Sequence, residues 1–190
     1  MKVPYFLILV LLVLPVTLAV KYKAMNDAKS YPGGKRFEKE IGIPYTLEIM
    51  KDINYFIWDI FQQYNESDRK QVEVATVFIR QYDGAEAITY GEQVNVSALF
   101  LQGYQGNLKW EYTSILHHEL THVFQWDGEG KAPVGVVEGV ADYIKLVSGF
   151  VAALNKKMRH SFSEEYFVEL MGKPVAQLWS EYKAKYGNIK

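Results

Sequence analysis

The sequence contains no cysteine and no excess of charge of either sign. Its 190 residues include 21 basic and 22 acidic side chains, which give a formal net charge of −1. The missing thiols exclude disulfide bonds, and any bound metal must be held by nitrogen and oxygen atoms. The balanced charge argues against nucleic acid as a partner, because such domains usually carry a basic surface. We see no internal repeat, and the length predicts one domain.

A long apolar run occurs only near the amino terminus. Lys2 gives a short positive start, residues 5–14 are all apolar, and small residues surround Ala19. This order is typical of a secretory signal peptide. A membrane anchor is the alternative, but the run is shorter than the roughly 20 residues that a spanning helix needs. We therefore expect residues 1–19 to be a signal peptide, residues 20–190 to be a secreted domain, and no stable membrane association.

Two N-glycosylation sequons fit this secretory route. Asn65 lies in a polar stretch and is expected to be accessible, whereas Asn95 lies in a predicted strand and is a weaker candidate.

The apolar pattern predicts strands in the first half of the chain and helices in the second, which is an α+β fold. Strands are expected at residues 20–27, 72–80, 85–90 and 92–100, and a turn at 30–36. Helices are expected from Pro44 to about 64, at 108–125, from Pro133 to about 158, and at 164–172 and 174–187.

The predicted helix 108–125 contains the motif His118-Glu119-Leu120-Thr121-His122. Residues four apart share a helix face, so both imidazoles can bind one tetrahedral zinc ion. Glu119 borders that face and can act as the general base on a metal-activated water. A solvated polar helix is the weaker interpretation, because apolar residues flank the motif and buried histidines need partners. His117 points about 100° away and is interpreted as a packing residue.

Two carboxylates on the following predicted helix can complete the site. Glu138 and Asp142 are four residues apart and therefore share a face. Glu138 can be the third metal ligand, and Asp142 can accept the other ring N–H of a bound histidine and fix its tautomer. Their apolar neighbours disfavour two merely solvated acids. Gly139 and Ala141 are expected to let the two helices approach closely.

Residues 93–106, 117–146 and 150–187 resemble the plant basic secretory protein family, whose members are regarded as secreted zinc peptidases linked to pathogen defence. The pattern is also similar to that of gluzincins, which implies His118, His122 and Glu138 as ligands, Glu119 as base and Asp142 as a supporting residue. The resemblance implies a zincin-like fold, with a twisted mixed sheet packed on the active-site helix and a helical carboxyl-terminal half. Its edge strand, assigned to residues 94–98, would hold the substrate backbone.

The sequence departs from the family pattern in two respects. Its pI of about 6.4 is mildly acidic. In addition, residues 141–147 lead directly into 148–158, where family members carry a Trp- and Gly-rich segment. The domain is therefore expected to be shortened after about residue 146, as a natural short form, a splice product or a gene-model error.

Together these features predict a secreted, monomeric zinc endopeptidase that acts on protein or peptide substrates in plant defence. The alternative is a catalytically silent zincin-fold defence protein that binds protein or cell-wall carbohydrate.

Overall fold

The computed structural model describes residues 19–150, 163–171 and 173–186. Its four-stranded mixed sheet has the order β1-β2-β4-β3. The pairs β1–β2 and β2–β4 are parallel, and β3–β4 is antiparallel. These strands are β1 (Lys21–Asn26), β2 (Val74–Arg80), β3 (Ala87–Tyr90) and β4 (Gln93–Ser97).

The described part of the chain is mostly helical, and the predicted α+β class is confirmed. Short helical turns lie at Glu66–Asp68 and Leu146–Phe150. The α-helices are α1 (Pro32–Glu40), α2 (Ile43–Ile60), α3 (Ala98–Gly103), α4 (Leu108–Phe124), α5 (Val134–Lys145), α6 (Glu165–Met171) and α7 (Val175–Tyr186).

The hydrophobic core lies between the sheet and two long helices. The central strand β2 buries Ala75, Val77 and Ile79, as expected of a strand with β-branched residues and neighbours on both sides. Helix α2 packs against β1, and α4 packs against β3, β4 and α2. Leu116 and Leu120 of α4 are fully buried. The motif from His118 to His122 therefore lies on a helix whose position the core fixes.

The prediction of a turn at residues 30–36 is wrong, because α1 begins at Pro32. Proline is well suited to a first helical turn, but the two glycines after it usually mark a loop. Both glycines are buried. A Cβ atom on Gly33 would overlap the backbone of Ala98, and one on Gly34 would overlap the backbone of Ala28. The glycines serve close backbone packing and leave the segment helical.

We expect Gly33→Ala to destabilise the protein by about 3 kcal/mol or more, because a methyl group there meets immovable backbone rather than a flexible side chain. The matched control is Gly103→Ala, since a Cβ at Gly103 meets no atom within 4 Å. The control should be neutral or slightly stabilising. Urea denaturation of both variants measures the difference. Equal stability of the two variants would contradict the packing role.

Three predicted element boundaries also need correction. Residues 98–100 were expected to be strand but begin α3, where the Ser97 hydroxyl accepts a hydrogen bond from the Phe100 N–H at 3.2 Å. The first long helix ends at Ile60, and Tyr64 is exposed. The helix expected from Pro133 to about 158 is α-helical only to Lys145. Gly149 has non-helical dihedral angles, and residues 151–158 lie outside the described residues.

The predicted signal peptide also lies outside the described residues, apart from Ala19. Among the residues that the structure describes, no helix is long and apolar enough to cross a membrane.

Candidate metal centre

Helices α4 and α5 bring the three predicted ligands together. The Nε2 atoms of His118 and His122 are 3.1 Å apart. The Glu138 carboxylate lies 3.3 Å from Nε2 of His118 and 3.6 Å from Nε2 of His122. Ligands of a tetrahedral zinc ion with bonds of about 2.0–2.2 Å lie roughly 3.3 Å from one another. The three side chains therefore form a group that could hold a metal ion, and its spacing and its nitrogen and oxygen donors fit zinc.

Asp142 lies beside the imidazole ring of His118. Its Oδ1 atom lies 2.9 Å from Nδ1 of His118. Because an ionised carboxylate can only accept, it fixes the hydrogen of a neutral His118 ring on Nδ1 and leaves Nε2 as the free ligand atom. The packing prediction is only half right, however. Ala141 is fully buried, but Gly139 is exposed and a Cβ there would meet no atom within 4 Å.

The carboxylates also control the proton affinity of His118. Burial alone would lower the pKa of the His118 imidazole, but hydrogen bonds to Asp142 and Glu138 outweigh burial and raise this pKa to about 9. A proton and a metal ion compete for the same imidazole. Because the pKa of His118 is raised, protons compete with the metal ion at pH values well above 6.5, the ordinary histidine pKa.

We expect the apparent zinc affinity to fall by about tenfold for each pH unit below about 9, because each bound ion must displace the His118 proton. Acidification thus favours the protonated, metal-free protein, and raising the pH favours binding. Competition titrations with a chelator between about pH 9 and pH 6.5 measure the slope. A flat affinity down to about pH 7 would show an ordinary histidine pKa instead.

Asp142→Asn should weaken zinc binding by about 10-fold to 100-fold, since the amide no longer offers a negative acceptor to Nδ1 of His118. The comparison is best made near pH 9, where proton competition at His118 is small. Circular dichroism should show an unchanged fold, because Asp142 is nearly half exposed. If this variant binds zinc with the wild-type affinity, Asp142 does not support the metal site.

Glu119 lies beside the three ligands in the wall of one cleft of about 570 Å³. It is only 8% exposed. Burial raises the pKa of the Glu119 carboxyl above its ordinary value, which moves it toward the range in which a general base works near neutral pH. The Thr89 hydroxyl is 2.6 Å from Oε2 of Glu119 and 3.1 Å from its main-chain oxygen. Its single hydrogen can hold the carboxylate in orientation.

The strand beside the centre is β3, not the predicted segment 94–98. Strand β4 lies inside the sheet between β2 and β3, and residue 98 already belongs to α3. Strand β3 stands at the end of the strand order and contributes Ala87, Ile88 and Thr89 to the cleft. An edge strand offers unpaired main-chain N–H and C=O groups to an extended peptide.

Gln125, like Thr89, contacts a residue of the motif and was not predicted from the sequence. Its side chain is 2.8 Å from Nδ1 of His122 and 3.2 Å from the Val137 carbonyl, and it is 4% exposed. It thereby links the second histidine to α5. A buried polar residue one helical turn beyond a ligand is the sequence signal that could have found it. Thr89 gave no such signal, because it lies thirty positions from its partner.

The remaining candidate residues behave as the sequence suggests. His117 packs its ring edge-on against Phe56 and contacts the Thr113 carbonyl at 2.9 Å, and it is not a member of the candidate ligand group. Asn65 is exposed, whereas Asn95 is 7% exposed and accepts a hydrogen bond from Arg80 at 2.7 Å. Glycosylation at either site stays a prediction.

The fold and this centre define a class of protein, an α+β chain with a His-His-Glu group of the kind that metallohydrolases use. A family model described as peptidase of plants and bacteria matches residues 17–150 and 145–182. The chain belongs to this family, the basic secretory proteins. No curated protein and no solved structure matches it. The two matched segments overlap at residues 145–150, near the position where the sequence is expected to be shortened.

Proposed function

We propose that the protein is a secreted zinc-dependent endopeptidase with a zincin-like arrangement of sheet and active-site helix. The observation that carries this proposal is the meeting of His118, His122 and Glu138 beside the buried Glu119, in a cleft bounded by an edge strand. Membership of a peptidase family supports protein or peptide substrates. Two imidazoles and one carboxylate with an open fourth position are a donor set of catalytic zinc sites, which supports zinc as the metal.

Each side chain has a distinct part in this mechanism. A zinc ion held by the three ligands would supply an electrophile for the peptide carbonyl and lower the pKa of a water molecule. Glu119 takes a proton from the attacking water and delivers it to the leaving amine. Thr89 holds Glu119 in orientation, and Asp142 does the same for His118. Strand β3 binds the extended substrate through main-chain hydrogen bonds.

The proposed location and role rest on separate observations. The signal-like residues 1–19 and the accessible sequon at Asn65 support secretion and glycosylation. The resemblance to plant members supports a role in defence outside the cell.

The test is zinc content and peptide hydrolysis measured together on the purified mature protein. We expect about one zinc ion per chain, as one tetrahedral site requires. Hydrolysis of unstructured peptides should stop with a chelator and resume with added zinc. Zinc binding without hydrolysis would instead support the catalytically silent defence protein. A protein that binds no zinc would contradict the proposal.

A further inference from the structure

The cleft contains a basic side chain that the mechanism does not use. Lys70 lies between the Glu66–Asp68 turn and β2, is half-buried, and lines the same cleft as the metal-binding group. No other lysine or arginine lines this cleft in the described part of the chain. Its other charged residues include Glu119, Asp127 and Glu138.

The ammonium group of Lys70 has N–H donors that its contact within the protein does not use. Its Nζ atom contacts the His122 carbonyl at 3.5 Å, a weak bond near the carboxyl end of α4 that takes one of three N–H donors. Lysine is favoured near that end of a helix, so this contact also keeps the side chain at the cleft. Within the described ranges, no ion pair joins Lys70 to an acidic side chain.

Lys70 lies in the same cleft as the three candidate ligands and next to the main chain of one of them. It touches the main chain of His122, whose ring belongs to the metal-binding group. Successive residues of an extended peptide are about 3.3–3.6 Å apart. A group that binds Lys70 would therefore belong to a substrate residue within roughly one or two positions of the scissile bond.

We propose that Lys70 forms a carboxylate-binding subsite, so that the protein prefers peptides with a carboxylate next to the scissile bond. This inference rests on the proposed peptidase function and adds a substrate class to it. A carboxylate gains charge-assisted hydrogen bonds at Lys70. Elsewhere in the cleft it would meet the carboxylates of Glu119 or Asp127, and this repulsion fixes its register. The carboxylate can come from an acidic side chain or from a peptide carboxyl terminus.

The experiment compares zinc-loaded wild type with Lys70→Met, Lys70→Arg and Lys70→Glu. Matched fluorogenic peptides carry Glu, Gln or Lys on either side of the scissile bond, and a second set ends in a free acid or an amide. We expect kcat/KM of the wild type to favour the carboxylate peptide by about 10-fold to 100-fold, the usual value of a charged hydrogen bond. Lys70→Arg should keep the preference, Lys70→Met should reduce the ratio to about one, and Lys70→Glu should favour Lys peptides.

The two peptide sets identify the source of the carboxylate. If kcat/KM falls when Glu is replaced by Gln, the subsite binds an acidic side chain. If kcat/KM falls when the free acid is replaced by the amide, the subsite binds the carboxyl terminus. A wild type without either preference, or a Lys70→Met variant that keeps it, overturns the inference. Zinc content and thermal midpoint of each variant show whether the change is confined to the subsite.

Failure of the peptidase proposal would look different. If the wild type hydrolyses no peptide, fluorescence anisotropy can measure binding of the same peptides to the zinc-loaded wild type and to Lys70→Met. A Lys70-dependent carboxylate preference in binding supports the subsite although the peptidase proposal fails. Binding without that preference, or no binding of any carboxylate peptide, overturns the subsite.

Discussion

Replacing Glu119 by Gln should reduce peptide hydrolysis by about 10²-fold to 10⁴-fold while the metal content stays at the wild-type level. Glutamine has the same shape and can still accept the Thr89 hydrogen bond, but it cannot take a proton from water. The side chain is 8% exposed, so the substitution removes a buried carboxylate without opening a cavity. Measurements of kcat/KM and of zinc per chain on the same preparation separate the two effects.

Glu111→Gln is the matched control for this variant. Glu111 is also a buried carboxylate of α4, 5% exposed, but it pairs with Lys145 at 3.7 Å and does not line the cleft. Its replacement should change stability rather than the catalytic step. If Glu119→Gln loses the metal, Glu119 is a ligand and its assignment as general base is wrong.

Grafting a relative's segment between Leu146 and Ser148 should raise turnover by about 10²-fold to 10³-fold, which is the usual effect of one added donor to the transition-state oxyanion. Among the described residues, no tyrosine lines the cleft and its two histidines are the proposed ligands. We propose that the segment expected from the family resemblance after about residue 146 supplies that donor. Zinc affinity should not change, because all three ligands and Asp142 precede the insertion point.

The structure makes this position suitable for an insertion. The α-helical part of α5 ends at Lys145, and the chain continues in a short turn with non-helical Gly149. Val136, Tyr143 and Leu146 expose an apolar surface along α5, which a returning segment can cover. A Gly/Ser insertion of equal length at the same position is the control. If the parent chain already turns over as fast as the graft, the segment is dispensable.

Much of the centre could be predicted because it depends on helical spacing. Residues four apart share a helix face whatever the rest of the fold does. This rule alone pairs His118 with His122 and Glu138 with Asp142, and the structure places all four side chains together. The same local rules predicted the cores of β1, β2 and α4 within a few residues. Contact between the two helices was predicted from coordination chemistry, because two histidines alone do not complete the protein ligands of a tetrahedral metal site.

Local patterns failed where contacts between distant parts of the chain decide the result. The Pro-Gly-Gly sequence favours a turn, but the backbone of Ala98 requires glycine inside a helix. The segment 94–98 has the composition of any strand, and only the pairing of β4 with both β2 and β3 moves it to the interior of the sheet. Strand order depends on long-range pairing, which no short stretch of residues encodes.

By itself, the sequence determined the α+β class, the family, the candidate ligands and the absence of any thiol chemistry, because these depend on composition and helical periodicity. The tertiary structure alone decided which groups surround those ligands. Thr89 reaches Glu119 from strand β3, and Lys70 reaches the carboxyl end of α4 from the loop before β2. Each of these contacts joins residues far apart in the chain, and the buried core between sheet and helices fixes their distance.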